Sequence, residues 1–151
     1  MKKLGELLNE RCVVLDFKAA DKKEALERII APVAGAYDAA ALLKALIERE
    51  ALGSTGIGSG VAVPHVRLES VKEPVIVLGR SAKPVAFEAI DDEPCSLFFL
   101  VLGPAAKDAQ EAYLGAMAKI SRLMRQQAVR DRIMKAASPA DVLAAIRSAE
   151  A

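Results

Sequence analysis

The residues best suited to chemistry lie between Gly53 and His65, where the sequence reads GSTGIGSGVAVPH. Four of the nine glycines fall within eight residues, and the segment ends on the only histidine. Glycine allows backbone N–H groups to approach a ligand closely, and successive N–H groups in a bend can bind an anion. A neutral imidazole nitrogen is a nucleophile near neutral pH. The pattern therefore predicts phosphoryl chemistry on His65.

The predicted phosphate or anion cradle consists of the small residues that precede this histidine: Ser54, Thr55, Gly56, Gly58 and Gly60. The alternative is that the glycines form a tight hairpin and that His65 has no role. Nucleotide binding is not supported, because the spacing is not GxGxxG and no Lys-Ser/Thr pair follows in P-loop register. The segment also follows a predicted helix, whereas both nucleotide motifs follow a strand.

Length and composition restrict the remaining possibilities. A chain of 151 residues with 53% hydrophobic residues favours one domain, spanning residues 1–151, around one core. The net charge is +1 and no basic run stands out, so nucleic-acid binding is not expected. One histidine and two distant cysteines, Cys12 and Cys95, do not form a metal site, and no cofactor is implied. No apolar run approaches a membrane span, so we expect no membrane insertion and a cytoplasmic location.

The elements that must position His65 follow from apolar spacing and capping residues. Helices are predicted after Asp21 and Asp38, from about Lys107 to Gln126, and in two short segments near the C-terminus. Cys12–Phe17, Val61–Val63, Val75–Leu78 and Cys95–Leu102 are predicted strands, with a weaker edge strand at Pro84–Phe87. Cys95–Leu102 is the candidate central strand. The predicted fold is α/β, a mixed sheet of four or five strands flanked by helices on both faces.

The run from Arg49-Glu50 through GIGSGVAVPH to Arg67-Leu68 resembles the fructose/mannitol-type enzyme IIA domain of the bacterial phosphoenolpyruvate-dependent phosphotransferase system, including its nitrogen-regulatory branch. The similarity continues through Leu78-Gly79-Arg80 to Pro104. It implies that His65 accepts a phosphoryl group from a histidine phosphocarrier protein and passes it on, with an enzyme IIB domain or regulatory target proteins as acceptor or binding partner. It also implies that Arg49 sits beside the phosphorylated ring, where a guanidinium can bind phosphate oxygens. For Arg49 alone, the alternative is a solvated cation at a helix end.

Two positions depart from the family pattern. Val66 stands where the family usually has Gly, Ala or Cys, and its branched side chain is expected to narrow the site. Many members also carry a second histidine in the helix after the long strand, where this chain has Tyr113. Tyr113 is therefore a tentative site residue, able to donate a hydrogen bond to phosphate, and the alternative is a packing role in the core.

The function predicted from these residues is a phosphocarrier in a sugar-transport or nitrogen-type regulatory role. One alternative is a protein-binding regulatory module of the same fold without phosphotransfer, and retention of Arg49 and His65 disfavours it. A hydrolase that uses His65 as a base is a third possibility, but no serine or cysteine nucleophile in a matching motif accompanies it.

Overall fold

The computed structural model describes residues 2–89 and 91–151, in which three α-helices and one strand precede a run of five strands, and three further α-helices follow. The described residues contain six α-helices: α1 (Leu4–Leu7), α2 (Lys22–Ile30), α3 (Ala39–Ala51), α4 (Gln110–Met124), α5 (Gln127–Lys135) and α6 (Pro139–Glu150). They also contain six strands: β1 (Val13–Phe17), β2 (Gly56–Gly58), β3 (Val61–Ala62), β4 (His65–Leu68), β5 (Val75–Val85) and β6 (Cys95–Pro104).

Side chains placed just before the helices determine where three of them begin. The Asp21 carboxylate accepts a hydrogen bond from the Glu24 N–H at 2.9 Å, and Asp38 accepts one from the Ala41 N–H at 3.1 Å. Ser138 caps α6 in the same way. These side chains satisfy N–H groups that have no partner inside the first helical turn. The predicted caps at Asp21 and Asp38 are confirmed, and the last helix begins at Pro139.

The strands form one mixed sheet in the order β1-β5-β6-β3-β2, and β4 also pairs with β6. Strand β6 is central, because β5 lies antiparallel on one side of it and β3 and β4 lie parallel on the other. Strands β3 and β4 follow one another along β6 and are interrupted at Val63 and Pro64. His65 is the first residue after that interruption and aligns with Val101 of β6.

The core lies on both faces of this sheet, because successive side chains of β6 point to opposite faces. Leu97, Phe99 and Val101 pack with apolar residues of α1, α4, α5 and α6. Phe98, Leu100 and Leu102 pack with apolar residues of α2 and α3. The predicted α/β fold with helices on both faces is therefore confirmed.

Three details differ from the sequence prediction. The described part of the sheet has two further short strands, β2 and β4, which belong to the glycine segment and its continuation. Pro84 does not form a separate edge strand but lies within β5, where pairing with β6 is irregular between Arg80 and Val85. A proline is tolerated there because an interrupted ladder needs no N–H donor from it. Ile47 of α3 is 39% exposed, although its spacing with Leu42, Leu43 and Leu46 predicts a buried position.

Candidate active site

The glycine segment forms a hairpin that ends next to His65. Strands β2 and β3 pair antiparallel, and the turn between them uses the left-handed region, with φ of 95° at Gly58 and 76° at Gly60. Glycine adopts these angles without the strain that a Cβ would cause. The hairpin alternative therefore describes the backbone of this segment, and only Val63 and Pro64 separate its second strand from His65.

Most of the predicted cradle donors bind groups of the protein itself. The Thr55 N–H donates to both Glu50 carboxylate oxygens at 3.2 Å, and the Thr55 hydroxyl donates to the same carboxylate. The Ser54 hydroxyl donates to the Phe87 carbonyl at 2.8 Å and accepts from the Gly56 N–H at 3.0 Å. This geometry gives the donors of Ser54, Thr55 and Gly56 a structural role, and an anion cradle built from them stays a prediction.

The far end of the hairpin is held by Asp91. Its carboxylate accepts the Ser59 N–H at 3.1 Å and the Glu93 N–H at 3.1 Å. The hydrogen bonds from Glu93 and Ser59 lower the pKa of the Asp91 carboxyl, because they stabilise its charged form. A carboxylate next to Gly58 and Ser59 makes this tip of the hairpin unfavourable for phosphate, so any phosphate site lies toward His65.

His65 presents one defined ring nitrogen as a nucleophile. Its Nδ1 lies 2.7 Å from the Val63 carbonyl oxygen. A carbonyl oxygen can only accept a hydrogen bond, so Nδ1 must carry the proton. In the neutral ring the lone pair is then on Nε2. The half-buried imidazole therefore presents Nε2 for attack.

Tyr113 lies on the same face of the sheet as His65. The two ring centroids are 6.3 Å apart, and only 4% of the Tyr113 surface is exposed. The Tyr113 ring lies against Gly103 of β6, where a Cβ would overlap the ring. Burial raises the pKa of the Tyr113 phenol, and the nearby Arg67 and Arg49 charges lower it in part. The phenol therefore stays protonated at neutral pH and can act as a hydrogen-bond donor. The Tyr113 ring therefore packs in the core with its centroid 6.3 Å from that of His65, and a hydrogen bond from its hydroxyl to phosphate stays a prediction.

Arg67 is a further candidate site residue, which the sequence pattern did not indicate. Arg67 lies two residues after His65 on β4 and aligns with Gly103 of β6. The side chains of His65 and Arg67 therefore point to the same face of the sheet, which α4 covers. Its Nε donates to the Pro104 carbonyl at 3.0 Å, and its Nη2 donates to the carbonyls of Ala105 and Ala106. These bonds fix the guanidinium plane near Tyr113. The signal in the sequence was the alternation of His65 and Arg67 along a strand, but that strand was not predicted.

Arg49 lies in the last turn of α3, which leads into the glycine segment. Its Nη1 donates to the Gly53 carbonyl at 2.9 Å, and its charge acts on the Tyr113 hydroxyl together with that of Arg67. The structure therefore brings two guanidinium groups, a phenol and an imidazole to one region. Val66, expected to narrow the site, packs instead with the core on the α2 and α3 face, opposite to His65. That expectation is wrong, because neighbouring strand residues alternate between faces.

This arrangement suits transfer of an anionic group between nucleophiles. Imidazole supplies the attacking nitrogen, and the cations of Arg49 and Arg67 can neutralise the charge on phosphoryl oxygens. Within residues 2–89 and 91–151, no group of three or more His, Cys, Asp or Glu residues is placed to bind a metal ion. In the same part of the chain, no helix combines the length and the apolar character needed to cross a bilayer.

Comparison with known proteins gives a consistent result. The family model described as "Phosphoenolpyruvate-dependent sugar phosphotransferase system, EIIA 2" matches residues 6–149. The chain is 36% identical over 140 residues to the fructose-specific EIIA component of Haloferax volcanii, covering 89% of this chain and 90% of that protein. It is 34% identical over 139 residues to the nitrogen regulatory protein of Pseudomonas aeruginosa, covering 90% and 89%. It also matches the fructose-specific EIIABC component of Bacillus subtilis, at 31% identity over 139 residues (90% of this chain), but spans only 22% of its length.

Solved structures share the fold. The nitrogen regulatory protein IIA-Ntr of Neisseria meningitidis superimposes with a TM-score of 0.87 at 32% identity, covering 95% of this chain and 98% of that one. The enzyme IIA for mannitol of Escherichia coli, solved in complex with phosphorylated enzyme IIB, superimposes with a TM-score of 0.77 at 22% identity. That alignment covers 93% of this chain and 97% of that one, and at this identity it supports the fold alone.

Proposed function

Because the chain belongs to the EIIA 2 family of the phosphoenolpyruvate-dependent sugar phosphotransferase system, we propose that it carries a phosphoryl group on Nε2 of His65. The family consists of phosphotransferase components that carry a phosphoryl group, and its members act in sugar transport or nitrogen regulation. We further propose which atom is phosphorylated, which protein donates the phosphoryl group and which residues stabilise it.

The hydrogen bond from His65 Nδ1 to the Val63 carbonyl is the observation that carries this proposal. It leaves the Nε2 lone pair free to attack phosphorus. In the proposed step, the N–P bond of a phosphohistidine on the donor protein breaks, and its electron pair returns to the donor imidazole. A bond from Nε2 to phosphorus forms, while the proton on Nδ1 stays in place. The second transfer repeats these events in the opposite direction, with the acceptor protein supplying the nucleophile.

Arg49, Arg67 and Tyr113 are proposed to stabilise the phosphoryl group. Phosphoryl transfer depends mainly on positioning and on compensation of the negative charge on the equatorial oxygens. Two fixed guanidinium groups supply that compensation here, and the protonated Tyr113 hydroxyl supplies a hydrogen bond. Arg67 extends the set of residues that the sequence suggested, and Tyr113 takes the position of the second histidine that many members carry.

The proposed donor is a histidine phosphocarrier protein, and the proposed acceptor is an enzyme IIB domain or a regulatory target protein. Exposed apolar side chains near the site support docking of another protein: Leu52 is 86% exposed, Leu114 is 52% exposed and Ile57 is 42% exposed. Leu52 follows Arg49 in the chain, Ile57 lies on the hairpin and Leu114 follows Tyr113. Apolar side chains in such positions are typical of protein-binding surfaces.

The test is incubation with phosphoenolpyruvate, enzyme I and the histidine phosphocarrier protein, followed by intact mass measurement. The mass should rise by one phosphoryl group, and the phosphate should be acid-labile. His65→Gln should abolish the gain, since this variant contains no imidazole. Labelling that persists in the variant would refute the assignment, and absence of labelling in the native chain would favour a binding module without phosphotransfer.

A further inference from the structure

A buried ion pair lies behind the glycine hairpin and is not part of the proposed transfer chemistry. The Glu50 side chain is only 5% exposed, and its carboxylate accepts a hydrogen bond from Lys22 Nζ at 3.0 Å. Lys22 Nζ also lies 4.7 Å from the centre of the Phe87 ring. A buried carboxylate is costly unless it is paired and hydrogen-bonded. Such a group is therefore expected to have a defined task.

The partners of Glu50 on its other side lead to His65 in three steps. The Glu50 carboxylate accepts the N–H and the hydroxyl of Thr55. The Thr55 carbonyl accepts the Val63 N–H at 2.9 Å, across the two arms of the hairpin. The Val63 carbonyl then accepts the Nδ1–H of His65 at 2.7 Å. The position of the Val63 carbonyl, and with it the tautomer of His65, thus depends on where Thr55 is held.

The neighbouring residue on α3 holds the other end of the same turn. Arg49 binds the Gly53 carbonyl at 2.9 Å, while Glu50 binds the Thr55 N–H two residues later. Gly53 itself has a φ of 151°, and no other group packs where a Cβ of this residue would lie. The two adjacent side chains therefore determine where the hairpin leaves α3.

We propose that Glu50, neutralised by Lys22, is a positioning residue for His65: through Thr55 and Val63 it fixes the orientation of the imidazole and keeps the proton on Nδ1. The proposal rests on the proposed function of His65 only for its effect on transfer. Its effect on the tautomer concerns the unphosphorylated chain and can be measured without any partner protein.

Two double variants separate the hydrogen-bond acceptor from the charge. Both Glu50→Ala/Lys22→Met and Glu50→Gln/Lys22→Met remove the ion pair, but only the glutamine variant keeps an oxygen that can accept the Thr55 N–H. Nitrogen-15 NMR reports the ring tautomer without ambiguity, because the chain has one histidine. Glu48→Ala, an exposed position on the same helix, is the matched control.

The alanine double variant should show a mixture of ring tautomers and phosphotransfer slower by about ten-fold or more. The glutamine double variant should restore the Nδ1–H tautomer and most of the rate, and Glu48→Ala should resemble the native chain. A folded alanine variant with the native tautomer and rate would overturn the proposal. Equal losses in both double variants would also overturn it, because the acceptor oxygen would then have no effect.

If the alanine double variant does not fold, the Thr55→Val variant tests the positioning role of Glu50 instead. It keeps the shape and the N–H of Thr55 but removes the hydroxyl that Glu50 binds. Loss of one such hydrogen bond predicts a detectable second tautomer and transfer slower by about five-fold. An unchanged tautomer and rate would refute the positioning role. A shifted tautomer in a chain that is never phosphorylated would uphold it and refute the proposed function instead.

Discussion

His65, Arg49 and Arg67 each use one part of the side chain to bind a backbone carbonyl of their own chain. His65 uses Nδ1, Arg49 uses Nη1, and Arg67 uses Nε and Nη2. The atoms without such bonds among the described residues are Nε2 of His65 and the remaining guanidinium nitrogens. A group fixed before the reaction needs little reorganisation when charge develops, and this is the main contribution a protein can make to phosphoryl transfer.

Arg49→Lys should slow phosphotransfer by roughly ten-fold while leaving the fold intact. Lysine keeps the charge, but its single ammonium cannot bind the Gly53 carbonyl and two phosphate oxygens in the geometry of a guanidinium. Arg49→Ala should slow it by about a hundred-fold or more. Rapid-mixing measurements of phosphoryl transfer from the phosphocarrier protein give these rates. Arg122→Lys on α4 is the control. If Arg49→Ala transfers at the native rate, Arg49 is only a cation at the end of a helix.

Tyr113→Phe should change the lifetime of phosphorylated His65 or the rate of transfer, with little effect on stability. The substitution removes the hydroxyl, while the ring that packs against Gly103 remains. Tyr113→His is the complementary variant and should speed transfer if the lack of a second imidazole limits this chain. Time courses of phosphohistidine decay, quenched with base because phosphohistidine is stable there, and a thermal unfolding curve separate the two effects. If neither variant changes the kinetics, Tyr113 is a packing residue only.

Helices with local caps and the longer apolar strands were predictable from the sequence, whereas the short strands β2 and β4 were not. The caps at Asp21 and Asp38 are hydrogen bonds within four residues, so residue type alone indicates them. Strand β4, in contrast, consists of His65, Val66, Arg67 and Leu68, whose mixed polarity resembles a loop. It becomes a strand because β6 offers a free edge beyond Pro64. Missing β4 also concealed Arg67, since only a strand places it on the face of His65.

The sequence predicts His65 as the reactive group of the candidate site, but not the contacts that hold it. The single histidine after a glycine segment carries that prediction. The hydrogen bonds from Thr55 to the Glu50 carboxylate could not be inferred, because the hydrogen-bond donors of a glycine-rich segment can bind either a ligand or another part of the protein. The choice depends on a buried carboxylate whose partner, Lys22, lies 28 residues away. Such non-local pairing leaves no periodic signal in the sequence.

Arg80 joins β5 to β1 and to the end of α5, so its removal should destabilise the protein. Its guanidinium is 8% exposed and binds the Asp16 carboxylate at 3.0 Å. It also donates to the carbonyls of Ile133, Met134 and Ala136 at the end of α5. Arg80→Met should lower the free energy of unfolding by about 2 to 3 kcal/mol, because these buried carbonyls lose a charged donor. Urea unfolding measures the change.

Ser81 follows Arg80 on β5 and provides a matched comparison, because its substitution is expected to cause no loss of stability. Its hydroxyl is buried and has no hydrogen-bond partner among the described residues. A buried polar group without a partner is unfavourable, so Ser81→Ala should leave the free energy of unfolding unchanged within about 1 kcal/mol or raise it. A Ser81→Ala variant as unstable as Arg80→Met would contradict this account of β5.

The free energy of unfolding of the whole protein should fall between about pH 9 and pH 11, because the Cys95 thiol ionises more readily in the unfolded chain. Burial, with smaller effects of Asp91 and Glu50, raises the pKa of the Cys95 thiol from about 9 to about 11. In this interval the unfolded chain releases the thiol proton while the folded chain retains it, so stability falls as pH rises. Two pKa units correspond to about 2 to 3 kcal/mol.

Cys95→Ala tests this expectation by the slope of stability against pH rather than by its absolute value. The variant should lose less stability than the native chain between pH 9 and pH 11, although the smaller side chain lowers stability at every pH. Parallel pH profiles for the two proteins, measured by urea unfolding, would show that the Cys95 thiol titrates normally in the folded state.

The ion pair of Lys22 and Glu50 and the imidazole of His65 lie at the two ends of a path of hydrogen bonds through Thr55 and Val63. Nitrogen-15 NMR of the phosphorylated chain tests the central claim most directly, because the chain has one histidine and its two ring nitrogens are resolved. The account predicts phosphorus bonded to Nε2, with the proton retained on Nδ1. Phosphorus on Nδ1, or an unmodified ring in a chain that carries phosphate elsewhere, would contradict it.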